Sequence, residues 1–188
     1  FVRMQNHTGE HIVSGIINKY FGFDNVGFHM GSDDVTLDVN GVLTKEEIDF
    51  VEAKANKAVF QNVPVYAQVY SGDELSSLEY RSKLDLTEDV RIVTVEGYDK
   101  CACCAPHVSR TGEIGIIKLI DCMKHRGGVR VTMLCGIDAY RDYAQKQESA
   151  AEISALLSAK RSDIAVAVKK FYDELQNEKY QSAELKKT

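Results

Sequence analysis

The sequence predicts an α+β fold, a mostly antiparallel sheet with packed helices followed by a C-terminal helical extension. Three patterns point there. Apolar residues recur at helical spacing in the first twenty residues and again after Thr44. Short alternating runs such as VTLDV and VRIVTV lie between these segments and beyond them. Two further runs flank His125-Arg126-Gly127-Gly128, a turn that joins antiparallel strands. Hairpins mixed with helices make an α+β chain.

Taken in order, residues 6–20 read as a helix. Ile12, Ile16, Ile17 and Tyr20 keep helical spacing beside His7 and His11. Asn6 is the expected N-cap, and Gly22 with Asp24-Asn25 marks the exit. Residues 26–40 predict two short strands around Gly31-Ser32-Asp33-Asp34, closed by an Asn40-Gly41 turn. Thr44 followed by Glu47 is a capping box, and Ile48, Val51, Ala55 and Val59 form one apolar stripe behind it. Pro64 ends that helix and PVYAQVY alternates as a strand. Asp73-Glu74-Leu75 opens a short helix expected to reach Tyr80. VRIVTVE, residues 90–96, is a strand leading to Cys101. Pro106 lacks a backbone donor and disfavours helix at Ala105, so 101–113 is not simple helix. Residues 114–124 and 129–135 form the hairpin. From about 138 the chain reads as helix to its end, with no Pro or Gly after Gly136. Ile153, Leu156, Leu157, Ile164, Val168, Phe171 and Leu175 supply its apolar positions. Part of this tail is expected to pack on a neighbour or lead to a further domain. The organisation expected is a domain over 1–140 and an extension or linker over 141–188.

At 188 residues and 44% hydrophobic content, the chain is long enough for a real core. No run of 18 apolar residues exists and no signal peptide is visible, so neither membrane partner nor export is expected. The first residue is Phe, which leads us to expect missing upstream sequence. The five cysteines are an odd number, with three at 101, 103 and 104. That fits metal binding or free thiols in a cytoplasmic protein better than a disulfide framework. A net charge of −5 argues against a large footprint on duplex nucleic acid. Residues 101–141 nevertheless hold six cations against three anions, a balance suited to a short single-stranded end.

His7-Thr8-Gly9-Glu10-His11 places two imidazoles four apart on a helix, where both can reach one ion. Cys103-Cys104-Ala105-Pro106-His107 repeats the four-residue step with a thiol in front. His7, His11, Cys103 and His107 together form a zinc ligand set, which folding must assemble from segments nearly a hundred residues apart. Cys101 and Cys104 are the competing thiols. Cys122 and Cys135 read as small buried apolar side chains. The protease motif HExxH is excluded. Glu10 directly precedes the second His and points about a hundred degrees away around the helix. It either rims the site or faces solvent.

MQNHTGEHIVSG, VGFHMGSDDVTLDV, CACCAPHVSRTGEIGIIKL and GGVRV, in that order, resemble the editing domain of alanyl-tRNA synthetases and the free-standing AlaX-type editing proteins. The resemblance covers about residues 2–140. It implies the editing-domain fold shared with threonyl-tRNA synthetases, zinc held by the four residues above, and an N-terminal β-barrel in larger members. It further implies hydrolysis of the ester joining serine or glycine to alanine tRNA, with the mischarged tRNA 3′ end as partner. Cys104-Ala105-Pro106 stands where the synthetases carry Gly-Gly-Thr, a departure that spares the ligands and alters the loop. His29 stands where the synthetases carry a pocket glutamine. His29, Thr8 and Glu10 are therefore the catalytic candidates, and Arg110, Lys118, Arg126 and Arg130 the candidates for the tRNA end. Two rivals remain: a zinc hydrolase for another small ester, and a non-catalytic zinc-stabilised module that binds tRNA or a synthetase.

Overall fold

A computed structural model describes residues 1–31, 34–82 and 89–186. Ser32 and Asp33 of the expected first turn lie outside the described residues, as do Lys187 and Thr188 of the tail. The elements in order are α1 (Val2–Phe21), β1 (Asn25–Met30), β2 (Val35–Val39), α2 (Lys45–Gln61), β3 (Val65–Tyr70), α3 (Gly72–Ser76), β4 (Val90–Val95) and β5 (Asp99–Ala102). β6 (Ile117–His125), β7 (Gly128–Cys135), α4 (Gly136–Leu156) and α5 (Ile164–Leu185) follow. The fold is α+β with antiparallel ladders. The strands form two sheets where the sequence reading had one: a four-stranded sheet in the order β1-β2-β7-β6 and a three-stranded sheet in the order β3-β4-β5. The chain divides into two compact units, residues 1–140 and 141–188.

The core of the first unit follows from the strand alternation. Val35, Leu37 and Val39 of β2 stand opposite Met133, Val131 and Val129 of β7, and all six are buried. The β6–β7 turn is Arg126-Gly127, with φ of 45° and 84°. Two central residues at positive φ match the twist of the flanking strands, which is why glycine serves there. Helix α1 touches β1 and β7 of one sheet and β5 of the other. Ile12, Val13, Ile16 and Ile17 on it are almost fully buried.

Helix α2 begins with the expected capping box at Thr44 and Glu47. It also ties down the edge strand β6. Asn56 donates to the Ile117 carbonyl at 2.7 Å and accepts from the Ile117 N–H at 3.0 Å. Glu52 accepts from the Leu119 N–H at 2.7 Å and pairs with Lys118 at 2.7 Å. Side chains here do the work of a missing neighbouring strand.

Three local expectations are corrected. Asn6 is not an N-cap; it is a buried residue inside α1. Its Oδ1 accepts from the Cys135 N–H at 2.9 Å, and its Nδ2 reaches Asp138 at 3.3 Å. A buried amide is satisfied by the end of β7, so tertiary partners replace the cap. Helix α3 stops at Ser76 and does not reach Tyr80. Ser76 and Ser77 turn their hydroxyls back onto the Gly72 and Glu74 carbonyls, which competes with helix propagation. The tail is two helices. Between α4 and α5, Ser158 adopts φ 49°, and Ser154 donates to the Ala159 carbonyl at 2.6 Å. α5 has no buried residue. No described helix is long and apolar enough to cross a membrane.

Replacing Asn56 with Ala strips both partners from Ile117. The expected loss is about 2 kcal/mol of unfolding free energy, measured by urea denaturation. An unchanged midpoint would show that water replaces the amide without cost.

Candidate metal centre

The two motifs meet. His7 and His11 lie one turn apart on α1. Cys103 follows β5, and His107 lies within the loop after it. One ligand atom from each of His7, His11, Cys103 and His107 lies within 4.8 Å of every other. The ring centroids are 5.0 Å apart for His7–His11, 4.3 Å for His7–His107 and 4.6 Å for His11–His107. The Cys103 Sγ is 3.6 Å from His7 Nε2.

The loop that delivers Cys103 and His107 is pinned at both ends. Arg91 of β4 donates to the Cys103 carbonyl at 2.6 Å and to the Ala105 carbonyl at 3.0 Å, while its own carbonyl accepts from the Cys103 N–H at 3.0 Å. Beyond His107, Glu113 Oε1 accepts from the N–H groups of Ser109 at 3.1 Å and Arg110 at 2.9 Å. Thr111, fully buried, donates to the Ala58 carbonyl of α2 at 2.7 Å.

Each half-occupied imidazole leaves its other nitrogen for the cluster. His107 Nδ1 lies 3.1 Å from Thr8 Oγ1, which also accepts from the Val108 N–H at 3.2 Å. His107 Nε2 is buried and has no hydrogen-bond partner. Such an orphaned nitrogen is costly unless something fills the gap. His11 Nδ1 lies 3.0 Å from Asp99 Oδ2. Arg81 holds the same carboxylate, Nε to Oδ1 at 2.7 Å and a terminal nitrogen to Oδ2 at 3.0 Å.

The electrostatics favour a cation in the middle. Burial would push the Cys103 thiol up, but the imidazoles of His107, His11 and His7 around it outweigh burial and hold the thiol at about 3. Burial would lower His11, yet Asp99, Cys103 and Glu10 raise it to about 9. Burial lowers His107. Despite burial, His11 and Arg81 hold the Asp99 carboxyl below the usual carboxylate range. Burial pushes the Cys101 thiol up to about 12. A thiolate ringed by three imidazoles is the donor set of a tetrahedral metal site. Bond lengths of about 2.0–2.3 Å put tetrahedral ligand atoms roughly 3.3–3.8 Å apart, and the Cys103–His7 pair already meets that spacing. The residues fit a metal ion.

Other expected site residues fall elsewhere. Thr8 is fully buried, with its hydroxyl committed to His107 and Val108. Glu10 is not solvated; it lines the cavity beside the cluster, buried, and accepts from Ser14 and, at 2.6 Å, from Asn25. His29 is exposed. Its neighbour Phe28 stands opposite buried Leu37 and stacks 5.4 Å from His7, so His29 points to the other face of the sheet. The structure does not bring the four cations to the cluster. Arg110 donates to the Asn62 carbonyl, Lys118 pairs with Glu52, Arg130 grips Asp38 at 2.6 and 2.8 Å, and Arg126 sits in the hairpin turn. Of the competing thiols, Cys104 is exposed and all five cysteines are free. Cys135 is buried and Cys122 packs against the core.

A cavity of about 1320 Å³ opens beside the cluster. His7, His11 and Cys103 line it, together with Phe28, Tyr80 and Lys100. Its size admits a ligand of several rings. Asp99, Arg81 and Arg91 went unnoticed in the sequence. Only Arg91 carried a signal, as the one charged residue within the VRIVTV strand.

Comparison with known proteins agrees with this geometry. Residues 90–132 match the family described as the threonyl and alanyl tRNA synthetase second additional domain. The chain is 31% identical over 139 residues to the alanyl-tRNA editing protein AlaX-L of Pyrococcus horikoshii, an alignment covering 72% of this chain and 34% of that protein. It is 29% identical over 194 positions to the alanine–tRNA ligase of Ignicoccus hospitalis, covering 98% of this chain and 21% of the ligase. It is 30% identical over 129 residues to the alanyl-tRNA editing protein Aarsd1-B of Xenopus laevis, covering 66% and 31%. The chain thus spans between a fifth and a third of the length of these relatives. It is a homologue of the AlaX-type alanyl-tRNA editing proteins and of the alanine–tRNA ligases, and it carries the second additional domain of the threonyl and alanyl tRNA synthetases.

Proposed function

We propose that this chain is a zinc-dependent deacylase domain that hydrolyses the ester of serine or glycine mischarged onto alanine tRNA. The observation that carries the reading is the meeting of the H-x3-H and C-x3-H motifs in the wall of a cavity. Its physical need is plain. A synthetic pocket for alanine cannot strongly reject smaller glycine or near-isosteric serine, so a second site must remove the errors.

His7, His11, Cys103 and His107 would hold the zinc. When bound, the ion supplies Lewis-acid polarisation of an ester carbonyl or a fixed positive charge for orienting the amino acid. The chain's own residues do the remainder. Thr8 holds His107 with Nε2 toward the cluster. Phe28 walls the cavity against His7 and keeps that side apolar. Lys19 and Lys100, which line the cavity, suit the phosphates of an entering 3′ end. With all four of these side chains engaged, His7, His11, Cys103 and His107 would form a complete ligand set for the ion.

The purified protein should bind one zinc ion, and Cys103→Ala should lower that occupancy at least tenfold in a chelator competition. Persistence of wild-type affinity in the alanine variant would exclude Cys103 as a ligand. With Ser-tRNA(Ala), Gly-tRNA(Ala) and Ala-tRNA(Ala) as substrates, the first two should be deacylated and the third spared. Binding of tRNA without hydrolysis of any of the three would favour the non-catalytic module. Loss of all discrimination would favour a general esterase. His29→Ala should stay within about twofold of the wild-type rate, since its ring lies on the far face of β1. A hundredfold loss there would return His29 to the mechanism.

A further inference from the structure

We infer that Asp99 is the positioning residue of this centre, fixing through the Arg81–Asp99–His11 chain which nitrogen of His11 faces the cluster. The inference rests on the proposed reading that the cluster holds a metal ion.

The Asp99 side chain is 1% exposed. Its Oδ2 meets His11 Nδ1 at 3.0 Å, and Arg81 spans both of its oxygens. A carboxylate accepts only, so the hydrogen on this bond belongs to His11 Nδ1. That choice leaves the ring lone pair of His11 on Nε2, the nitrogen available to the cluster with His7, Cys103 and His107. Arg81 is in turn placed by its backbone. Its N–H donates to the Lys100 carbonyl at 2.8 Å, and its carbonyl accepts from the Ala102 N–H at 2.9 Å. A planar guanidinium tied to the edge of β5 thus holds a carboxylate that begins the same strand.

The chain also makes room for this contact. Gly15 lies one turn beyond His11 on the same face of α1. A Cβ there would stand 2.5 Å from the Tyr98 carbonyl oxygen and 2.9 Å from Asp99 Cβ. Glycine at this step lets β5 approach α1 closely enough for Asp99 to reach His11. His7, His11 and Gly15 thus form a run at intervals of four, two positions facing the ion and one admitting the residue that orients it.

Asp99, His11 and Cys101 also bring ligand atoms within 4.8 Å of one another, so Asp99 serving as a ligand itself is the alternative. Its oxygens argue against that. Oδ1 is taken by Arg81, and Oδ2 by both Arg81 and His11.

The test is zinc titration of metal-free wild type and Asp99→Asn against a competing chelator, with long-range ¹H–¹⁵N spectra of the imidazoles. Wild type should bind one ion, and Asp99→Asn one ion with 10- to 100-fold weaker affinity. The loaded wild-type spectrum should show His11 protonated at Nδ1 and metal-bound at Nε2. That spectrum needs no variant and so decides the matter even where Asp99→Asn folds poorly. His11 bound through Nδ1 would overturn the inference, as would wild-type affinity in Asp99→Asn. Two ions in wild type and one in Asp99→Asn would make Asp99 a ligand and overturn it too. A wild type that binds no ion would remove the metal reading itself, an outcome distinct from one bound ion and an indifferent Asp99.

Discussion

The burial of α1 between two sheets is the constraint on which the candidate centre depends. A helix carrying two imidazoles on one face would ordinarily leave them in water. Here Ile12, Val13, Ile16 and Ile17 anchor the helix in the core, and contacts with β1 and β7 on one side and β5 on the other fix its rotation. Once that rotation is set, His7 and His11 face the end of β5, where the chain delivers Cys103 and then His107. The cluster is therefore a product of the whole first unit, 1–140, and not of a local loop. A destabilised core would cost metal affinity as well as stability, because binding and folding free energy are linked.

Hydrogen bonding around the centre follows one logic applied twice. Each of two histidines uses one nitrogen for the protein and leaves the other for the cluster. A hydroxyl serves His107, and a buried carboxylate serves His11. These partners also rationalise two buried polar residues whose presence would otherwise be expensive, Thr8 and Asp99. The thiolate, stabilised by three neighbouring rings, supplies the negative charge that a dication needs in a partly buried position.

Much of this was legible in the sequence because it rests on local periodicity. Four-residue steps in His7/His11 and Cys103/His107 mark candidate ligands whatever the fold. The capping box at Thr44 and the hairpin at Arg126-Gly127 are likewise local, and both formed as read. What stayed hidden depends on partners distant in sequence. Asn6 looked like a cap because nothing nearby reveals that Cys135 needs its carbonyl oxygen. Asp99 went unnoticed because His11 and Arg81 lie 88 and 18 residues away. Counting cations over 101–141 did not reveal that Lys118 and Arg130 pair with Glu52 and Asp38 from other elements. The break between α4 and α5 carries no Pro or Gly, and it rests instead on Ser158 at positive φ.

The homology to alanyl-tRNA editing proteins and the assembled cluster meet in a single claim: distant motifs converge on one ion through three imidazoles and one thiolate. X-ray absorption at the zinc edge of the loaded protein tests this directly. The expected shell holds three nitrogens at about 2.0–2.1 Å and one sulfur at about 2.3 Å. A shell of nitrogen and oxygen alone, or one with two or more sulfurs, would contradict it.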